Sequence, residues 1–376
     1  MNLISADEVQ TTWKQREQPA TSLRILHGLR DVRCVGNGIT NHVVDLACEQ
    51  AAVGHTVAVV STGGEFEEVL ARHGVAHDCV EDAHEPLALV RRVRAFRGLL
   101  RAFRPDIVHV HSIPALVVAL AARPFGSSWR LVATVHRELQ RSAIMLGLAE
   151  RVIAVSDAGA RSLVQRGIPA RRLVVVHHGT LGSVRSRPAA GIEPMPLQRP
   201  AIVTVAGLYR HKGVAELIDA FAIVAAEFPA AHLYIVGHGP DRAAFENAAS
   251  RSAFASRIHF EGFALEPQRY YASTDIFVLA SHRESFGLAI LEARDAGCAV
   301  IGSDVDGIPE ALDGGRAGVL VKPNDSGALA QALRELLGDP KKLEAQRRAA
   351  QGNLEALTVA RMQRETEKVY FALRQT

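Results

Sequence analysis

One stretch, from Asp275 to Glu310, constrains this 376-residue chain more than any other. It opens with a short apolar run, Ile276 to Ala280, that reads as a buried parallel strand. The polar loop Ser281 to Ser285 follows. Apolar residues at Leu288, Ala289, Leu291 and Ala293 then mark a helix that begins near Ser285 and is stopped by Gly297. A second apolar run, Cys298 to Gly302, is the next strand. In an open α/β sheet such a strand, loop, helix, strand unit places its loop at the carboxyl edge, where ligands bind.

Two carboxylates bracket the start of that helix, Glu284 in the loop and Glu292 eight residues on. Backbone amides in a first helical turn have no partner within the helix, and the helix dipole there favours negative charge. Gly287 removes the side chain that would keep a phosphate from the amides of Ser285, Phe286, Gly287 and Leu288. Free amides between two acceptors suit a ligand with a diphosphate in the middle and hydroxyls at both ends, the shape of a sugar nucleotide. By spacing alone, two Glu eight apart on a helix more often form a solvated face. The flanking strands and the Gly-Ile-Pro-Glu ending weigh against that.

The stretch resembles the nucleotide-sugar segment of the family 4 glycosyltransferases. Their pattern is E, seven residues, E, then a strand and a GG-x-PE turn. Here the turn reads Asp306, Gly307, Ile308, Pro309, Glu310, with Asp in place of the first Gly.

Length favours two domains. A hydrophobic fraction of 48% and a charged fraction of 22% are ordinary for a globular chain. No apolar run reaches a membrane-spanning length and the first 22 residues are polar, so neither a transmembrane helix nor a signal peptide is expected. Cys34, Cys48, Cys79 and Cys298 are scattered without metal-binding spacing, which fits reduced thiols in a cytoplasmic protein. The net charge of +3 is too small to argue for nucleic acid.

Leu23 to Leu26 reads as a first strand, followed by a loop carrying Gly36 and Gly38 and a helix from Ile39. A lone GxG is weak evidence for a phosphate turn. The segment NGITNHVVDLA followed by GHTVAVV nevertheless resembles the family's opening. Gly38 keeps the phosphate-facing position, and Asn37 and Thr40 depart from it. Next, a helix from Pro86 to Arg104 carries Val93, Phe96, Leu100 and Phe103 on one face. Arg94, Arg97, Arg101 and Arg104 form a stripe beside them, either a solvated face or a contact with anionic membrane. Strands Ile107 to Val110 and Leu131 to Val135 end at His111 and His136. Ser186 to Pro200 is Pro-rich and aperiodic, a linker. The pattern restarts with strand Ala201 to Val205, a loop and a helix at whose amino end stand Lys212 and Gly213, a phosphate site in charge and geometry. Five residues before this Lys the family has Arg; here it is Gly207, and Arg210 is the candidate substitute. Asp304 and Asp306 form a DxD that would hold a metal in another glycosyltransferase fold; the resemblance implies none here.

The expected organisation is a polar tail (1–22), an acceptor-side Rossmann-like domain (23–185), the linker (186–200), a nucleotide-sugar domain (201–356) and a C-terminal helix (357–376) packing back across both. The resemblance implies the GT-B fold, two doubly wound α/β domains facing a cleft. It implies retaining transfer from a nucleoside diphosphate sugar to a glycan or lipid-linked acceptor, without cofactor or metal. Position by position it puts Glu284 on a sugar hydroxyl and Glu292 on the ribose. Lys212 and Gly38 fall on the diphosphate, with the amides of Ser285 to Leu288, and Phe263 lies by the base. Asn41, His111 and His136 fall on the acceptor side, with His136 also facing the donor sugar. A sugar-nucleotide epimerase of the same fold and a weakly catalytic sugar-nucleotide-binding protein remain as alternatives. A dinucleotide dehydrogenase lacks its GxGxxG and following acidic residue.

Overall fold

The computed structural model describes residues 22–80, 86–136, 141–185 and 191–375. The tail up to residue 21 and the first third of the expected linker, residues 186–190, lie outside the described residues. The chain divides into two compact units. One comprises Met1–Ala154, Ser162–Val176 and Gln363–Thr376; the other comprises Val155–Arg161 and His177–Met362. The chain therefore changes unit ahead of the Pro-rich segment, between Val176 and His177, and returns inside the C-terminal helix.

The first unit carries a seven-stranded parallel sheet of β1 (Arg24–Gly28), β2 (Thr56–Ser61), β3 (Ala76–Cys79), β4 (Ile107–Val110), β5 (Arg130–Val135), β6 (Arg151–Ala154) and β7 (Leu173–Val175). Its order is β3-β2-β1-β4-β5-β6-β7. Helices α1 (Gly38–Ala52), α2 (Glu67–Arg72), α3 (Pro86–Phe103), α4 (Ile113–Ala122) and α5 (Asp157–Gln165) provide crossovers. The second unit repeats the plan with β8 (Ala201–Val205), β9 (His232–Val236), β10 (Ile258–Gly262), β11 (Ile276–Leu279), β12 (Ala299–Ser303) and β13 (Val319–Val321), in the order β10-β9-β8-β11-β12-β13. Its main helices are α6 (Val214–Val224), α7 (Arg242–Ser250), α8 (Leu288–Asp295), α9 (Ser326–Gly338) and α10 (Pro340–Ala350). The C-terminal helix is α11 (Val359–Arg374). Each sheet reverses direction of growth once, between β1 and β4 and between β8 and β11, and a crevice opens at the strand ends there.

Apolar runs form these strands because both faces are covered. In β11, Ile276 and Val278 join a cluster with Leu217, Phe221 and Leu333, while Phe277 and Leu279 join another with Ile290 and Leu291. The polar edge strand β3, sequence AHDC, gives no such run. It needs only the backbone of β2, with which Ala76 to Cys79 pair.

Two local expectations change. Helix α8 starts at Leu288 rather than near Ser285, because Gly287, its N-cap, sits at φ 93°, a left-handed conformation that ends the loop. On α3, Phe96, Leu100 and Phe103 are buried and Arg94, Arg101 and Arg104 are exposed as a stripe requires. Arg97 is exposed with them, but its guanidinium is engaged: it donates to the carbonyls of Ala121 (2.8 Å) and Ala122 (3.3 Å) and so closes the carboxyl end of α4. Among the described residues no helix is long and apolar enough to cross a membrane.

Arg294, on α8, is wholly buried. Its guanidinium donates to the carbonyls of Ala350 (2.9 Å), Ala311 (2.5 Å) and Gly352 (2.6 Å) and pairs with Asp313 at 3.4 Å. Replacing it with Met strands three carbonyls and a carboxylate. We expect Arg294→Met to cost about 3 kcal/mol or more in the unfolding of this unit, read from denaturant melts. A loss within the ordinary surface range of about 0.5 kcal/mol would contradict this.

Candidate active site

In the second unit the loops after β8 and β11, on either side of the switch point, are pressed together. Gly213 lies at φ 67°, and a Cβ placed on it would come 1.8 Å from the carbonyl oxygen of Ala280. A Cβ on Gly307 would come 2.1 Å from the carbonyl oxygen of Ser285. Only glycine permits either approach. Between the two contacts, His282 N–H donates to His211 O (2.8 Å) and Gly307 N–H to Glu284 O (3.1 Å). Asp306, which replaces the family's first Gly, sits at φ 44°. Its carboxylate accepts from Glu284 N–H at 3.0 Å and from Arg283 Nε at 3.2 Å. Asp tolerates this region better than most side chains, and its two hydrogen bonds offset the strain.

The clamped loop places Lys212 Nζ 2.5 Å from Glu284 Oε2, with only 21% and 15% of the two side chains exposed. Beside this pair the amides from Ser285 to Ala289 meet no hydrogen-bond acceptor among the described residues. Glu292 follows one turn into α8, where the buried Tyr271 hydroxyl donates to its Oε2 at 3.0 Å. Burial, then the Glu292 charge, pushes the Tyr271 phenol well above its usual range, so it stays a donor. Nothing in the sequence pattern singles out Tyr271, a core aromatic whose polar tip happens to reach the helix. Phe286, between the carboxylates, is buried and stacks on His177 at 5.3 Å. His177 Nε2 lies 3.0 Å from Glu310 Oε2, and Glu310 accepts from the amides of Asp157 (2.7 Å) and Ala158 (2.8 Å). The hydrogen bond to Glu310 raises the His177 pKa.

Arg210 does not join this group. Its side chain is 85% exposed and pairs with Asp241 at 3.4 Å. A Cβ at Gly207, where the family has Arg, would lie 3.0 Å from the ring of the half-exposed Tyr209, so an Arg there would have to displace that ring. Phe263, after β10, is 44% exposed.

In the first unit Gly38 and Asn41 occupy the first turn of α1. The departure at Asn37 has a structural role: its Oδ1 caps the helix by accepting from Ile39 N–H at 3.1 Å. His111 and His136 are brought together, His111 Nδ1 to His136 Nε2 at 3.1 Å, and they belong to a larger buried network. His111 Nε2 lies 3.0 Å from His27 Nδ1, and His27 Nε2 lies 2.7 Å from Gln50 Oε1. His109 lies 2.6 Å from the Tyr370 hydroxyl and 2.7 Å from Thr134 Oγ1. Gln50 Nε2 donates to Tyr370 at 3.3 Å. The His42 ring meets His136 edge-on at 4.7 Å.

This chain sets the tautomers. Gln50 Oε1 can only accept, so His27 carries its proton on Nε2 and accepts at Nδ1 from His111 Nε2–H; His111 then accepts at Nδ1 from His136 Nε2–H. His27, His42 and His109 were not singled out from the sequence. The parallel register that pairs His27 with His109 is the signal that could have found two of them. The triplets His27, His109, His111 and His42, His111, His136 have ligand atoms close enough for a metal, as do Asp157, His177 and Glu310. Both ring nitrogens of His27, His109 and His111 already have protein partners, which fits a neutral hydrogen-bonded network.

Burial pushes His27 down to about 4, and His109 and His111 well below 6.5 through burial and then their His neighbours. A buried neutral His stabilises the fold fully above the unfolded pKa of about 6.5, and the contribution is lost as pH falls from there toward the folded value. His27 alone should forfeit about 2 kcal/mol by pH 5. Thermal melts should decline between pH 6.5 and 5, less steeply in His27→Gln. Parallel pH profiles for the two proteins would contradict this.

With the geometry in place, comparison with known proteins is informative. The family profile described as glycosyl transferases group 1 matches residues 199–339, and that of glycosyltransferase family 4 matches residues 36–180. The chain is 28% identical to a glycogen synthase of Mycobacterium tuberculosis, over 84% of this chain and 86% of that one. It is 27% identical to a GDP-mannose-dependent alpha-mannosyltransferase of the same species, over 76% and 80%. The fold is similar to that of Anabaena HepE, solved in complex with UDP and glucose, at a TM-score of 0.78 and 20% identity, over 93% of this chain and 100% of the other. The chain belongs to the family 4 glycosyltransferases of the GT-B fold.

Proposed function

We propose that this glycosyltransferase moves a sugar, with retention and without a metal, from a UDP- or GDP-linked donor to a hydroxyl of a glycan or lipid-linked acceptor of the cell envelope or an exopolysaccharide. The observation that carries the reading is the Lys212–Glu284 pair beside the open amides of Ser285 to Ala289. A cation and a carboxylate held this close, in a half-buried site, offset each other's desolvation until a ligand takes both. A diphosphate would draw Lys212 and the amides to its oxygens. Glu284, so released, would accept from a sugar hydroxyl and Glu292, held by Tyr271, from the ribose. Gly38 serves the diphosphate, and Asn41, His111 and His136 serve the acceptor side, His136 as an acceptor through Nδ1 because its Nε2–H is engaged by His111. The compounds named for similar proteins, GDP-mannose for the mannosyltransferase and UDP in the HepE complex, both carry a nucleoside diphosphate.

In the reaction the bond between the sugar's anomeric carbon and the β-phosphate oxygen breaks, and the acceptor oxygen bonds to that carbon on the same face. The acceptor's proton passes to the departing phosphate oxygen, so no separate base is needed. Lys212 and the amides stabilise the charge that develops on the diphosphate, the role a metal plays elsewhere. Arg210 contributes only if the ligand draws it from Asp241.

Calorimetry with UDP, GDP and their sugars tests this. Lys212→Ala should weaken diphosphate binding by about 1.5–3 kcal/mol. Glu292→Ala should weaken it with the fold intact, and Glu284→Ala should spare UDP or GDP affinity while lowering turnover of the sugar donor. Failure of every nucleoside diphosphate to bind the wild type, or undiminished affinity in Lys212→Ala, would sink the reading.

A further inference from the structure

Helix α4 has the composition of a core helix, yet one side of it faces outward. From Ile113 to Ala122 it carries no charged or polar side chain. Leu116, Ala119 and Ala122 are buried. Ile113, Val117 and Ala121, spaced by four and so on one face, are half-buried or exposed and equally apolar. The outward face of a surface helix is ordinarily polar. The chain then extends this apolar strip. Pro124 to Ser127 form a tight turn, closed by Ser127 N–H to Pro124 O at 3.2 Å with Gly126 at φ 72°, and the Phe125 ring at its tip is fully exposed.

That turn is held rather than loose. Arg123 donates to Ser127 Oγ (2.8 Å), Trp129 O (3.1 Å) and Glu150 Oε1 (2.5 Å), and its guanidinium lies 4.7 Å over the Trp129 ring. The fold thus keeps a large aromatic in water at a fixed place, against the hydrophobic effect. Leu148, two residues before Glu150, is 59% exposed as well. Charge comes from the neighbouring helix, which Arg97 sets against the end of α4 through the Ala121 and Ala122 carbonyls. The exposed guanidinium groups of Arg94, Arg101 and Arg104 meet no acceptor among the described residues. Neither α3 nor α4 contains an acidic residue, and Glu150 is engaged by Arg123 and Arg130 at 2.5 and 3.3 Å. An apolar strip edged by uncompensated Arg is complementary to the headgroups and acyl boundary of an anionic bilayer. A second copy of this chain on the same face would set Arg against Arg.

We propose that the first unit docks on an anionic lipid bilayer through this face, with Phe125 inserted at the headgroup–acyl boundary, the outward strip of α4 lying on it, and Arg94, Arg101 and Arg104 on lipid phosphates. The Arg stripe read from the sequence is then only the charged half of the face; α4 and its turn supply the apolar half. The proposal extends the reading of a lipid-linked acceptor by stating how the enzyme meets the membrane that carries it.

The test is co-sedimentation of the full chain, without donor or acceptor, with vesicles of phosphatidylcholine alone and of phosphatidylcholine mixed with phosphatidylglycerol. The chain should bind the mixed vesicles and little of the neutral ones, and should release as salt shortens the screening length from about 8 Å toward 3 Å. Combining Arg94→Gln, Arg101→Gln and Arg104→Gln should weaken binding by roughly a hundredfold, at about fivefold per Arg. Phe125→Ala should weaken it by roughly tenfold. Phe125→Trp should keep binding, and brominated acyl chains should quench its emission beyond that of the wild type. Absent binding, equal binding to both vesicles, undiminished binding in the triple variant, or no added quenching in Phe125→Trp overturns the proposal. Dimers that Phe125→Ala abolishes, in a chain that ignores vesicles, would assign the face to a second copy instead. Thermal melts and UDP or GDP affinity should match the wild type in every variant, so a failure at this face stays distinct from a failure of the donor site.

Discussion

The second unit depends on one close backbone approach, Gly213 against the carbonyl oxygen of Ala280. The separation leaves no room for a Cβ, and the left-handed backbone at Gly213 would strain any other residue. From that contact the rest of the loop follows. His211 O receives His282 N–H, Glu284 is fixed from its far side by Asp306 and Gly307, and Lys212 meets Glu284 at 2.5 Å. A ligand site built from two loops holds its geometry only when the loops hold each other, and here backbone bonds do so.

The two units share a plan but differ in electrostatics. Both bury apolar strands on two faces and leave polar chemistry to the strand ends. In the second, the strand ends carry an opposed pair, a cation and a carboxylate, next to open amides. In the first, the strands themselves carry imidazoles inward, and His27, His109 and His111 stay neutral because burial penalises their charged forms. The acceptor Gln50 and the Tyr370 hydroxyl, on α1 and α11, define the proton positions along the rings. A His with a fixed tautomer has its donor and acceptor directions settled before a substrate arrives.

Much of this was legible from residue order. The strands β8, β9 and β11, the Pro-rich break, and the pair Glu284 and Glu292 follow from apolar runs and turn residues. The seven-residue spacing of the carboxylates carries the family resemblance, and the glycosyl transferases group 1 profile matches across that stretch. What was not legible depended on contacts between distant segments. Residues 155–161 join the second unit in company with the Glu310 carboxylate, which bonds the amides of Asp157 and Ala158, a partnership 152 and 153 residues apart in sequence. Arg210 looked available because its local sequence places it near Lys212, yet Asp241, from the turn before α7, engages it. The short edge strands β3 and β13 lack a strong pattern because one neighbour's backbone suffices to hold them. The histidine network went unseen because a single His in an apolar run looks like any other core polar residue until register sets it beside its partners.

The account centres on the amides at the start of α8 as the seat of a diphosphate. Selective ¹⁵N labelling of Phe, Gly, Leu and Ala would let the amide signals of Phe286, Gly287, Leu288 and Ala289 be followed as UDP or GDP is added. The account predicts that these four shift together as the diphosphate saturates the protein and stay in place with the bare nucleoside. Saturable binding of the diphosphate with all four signals unmoved would contradict it.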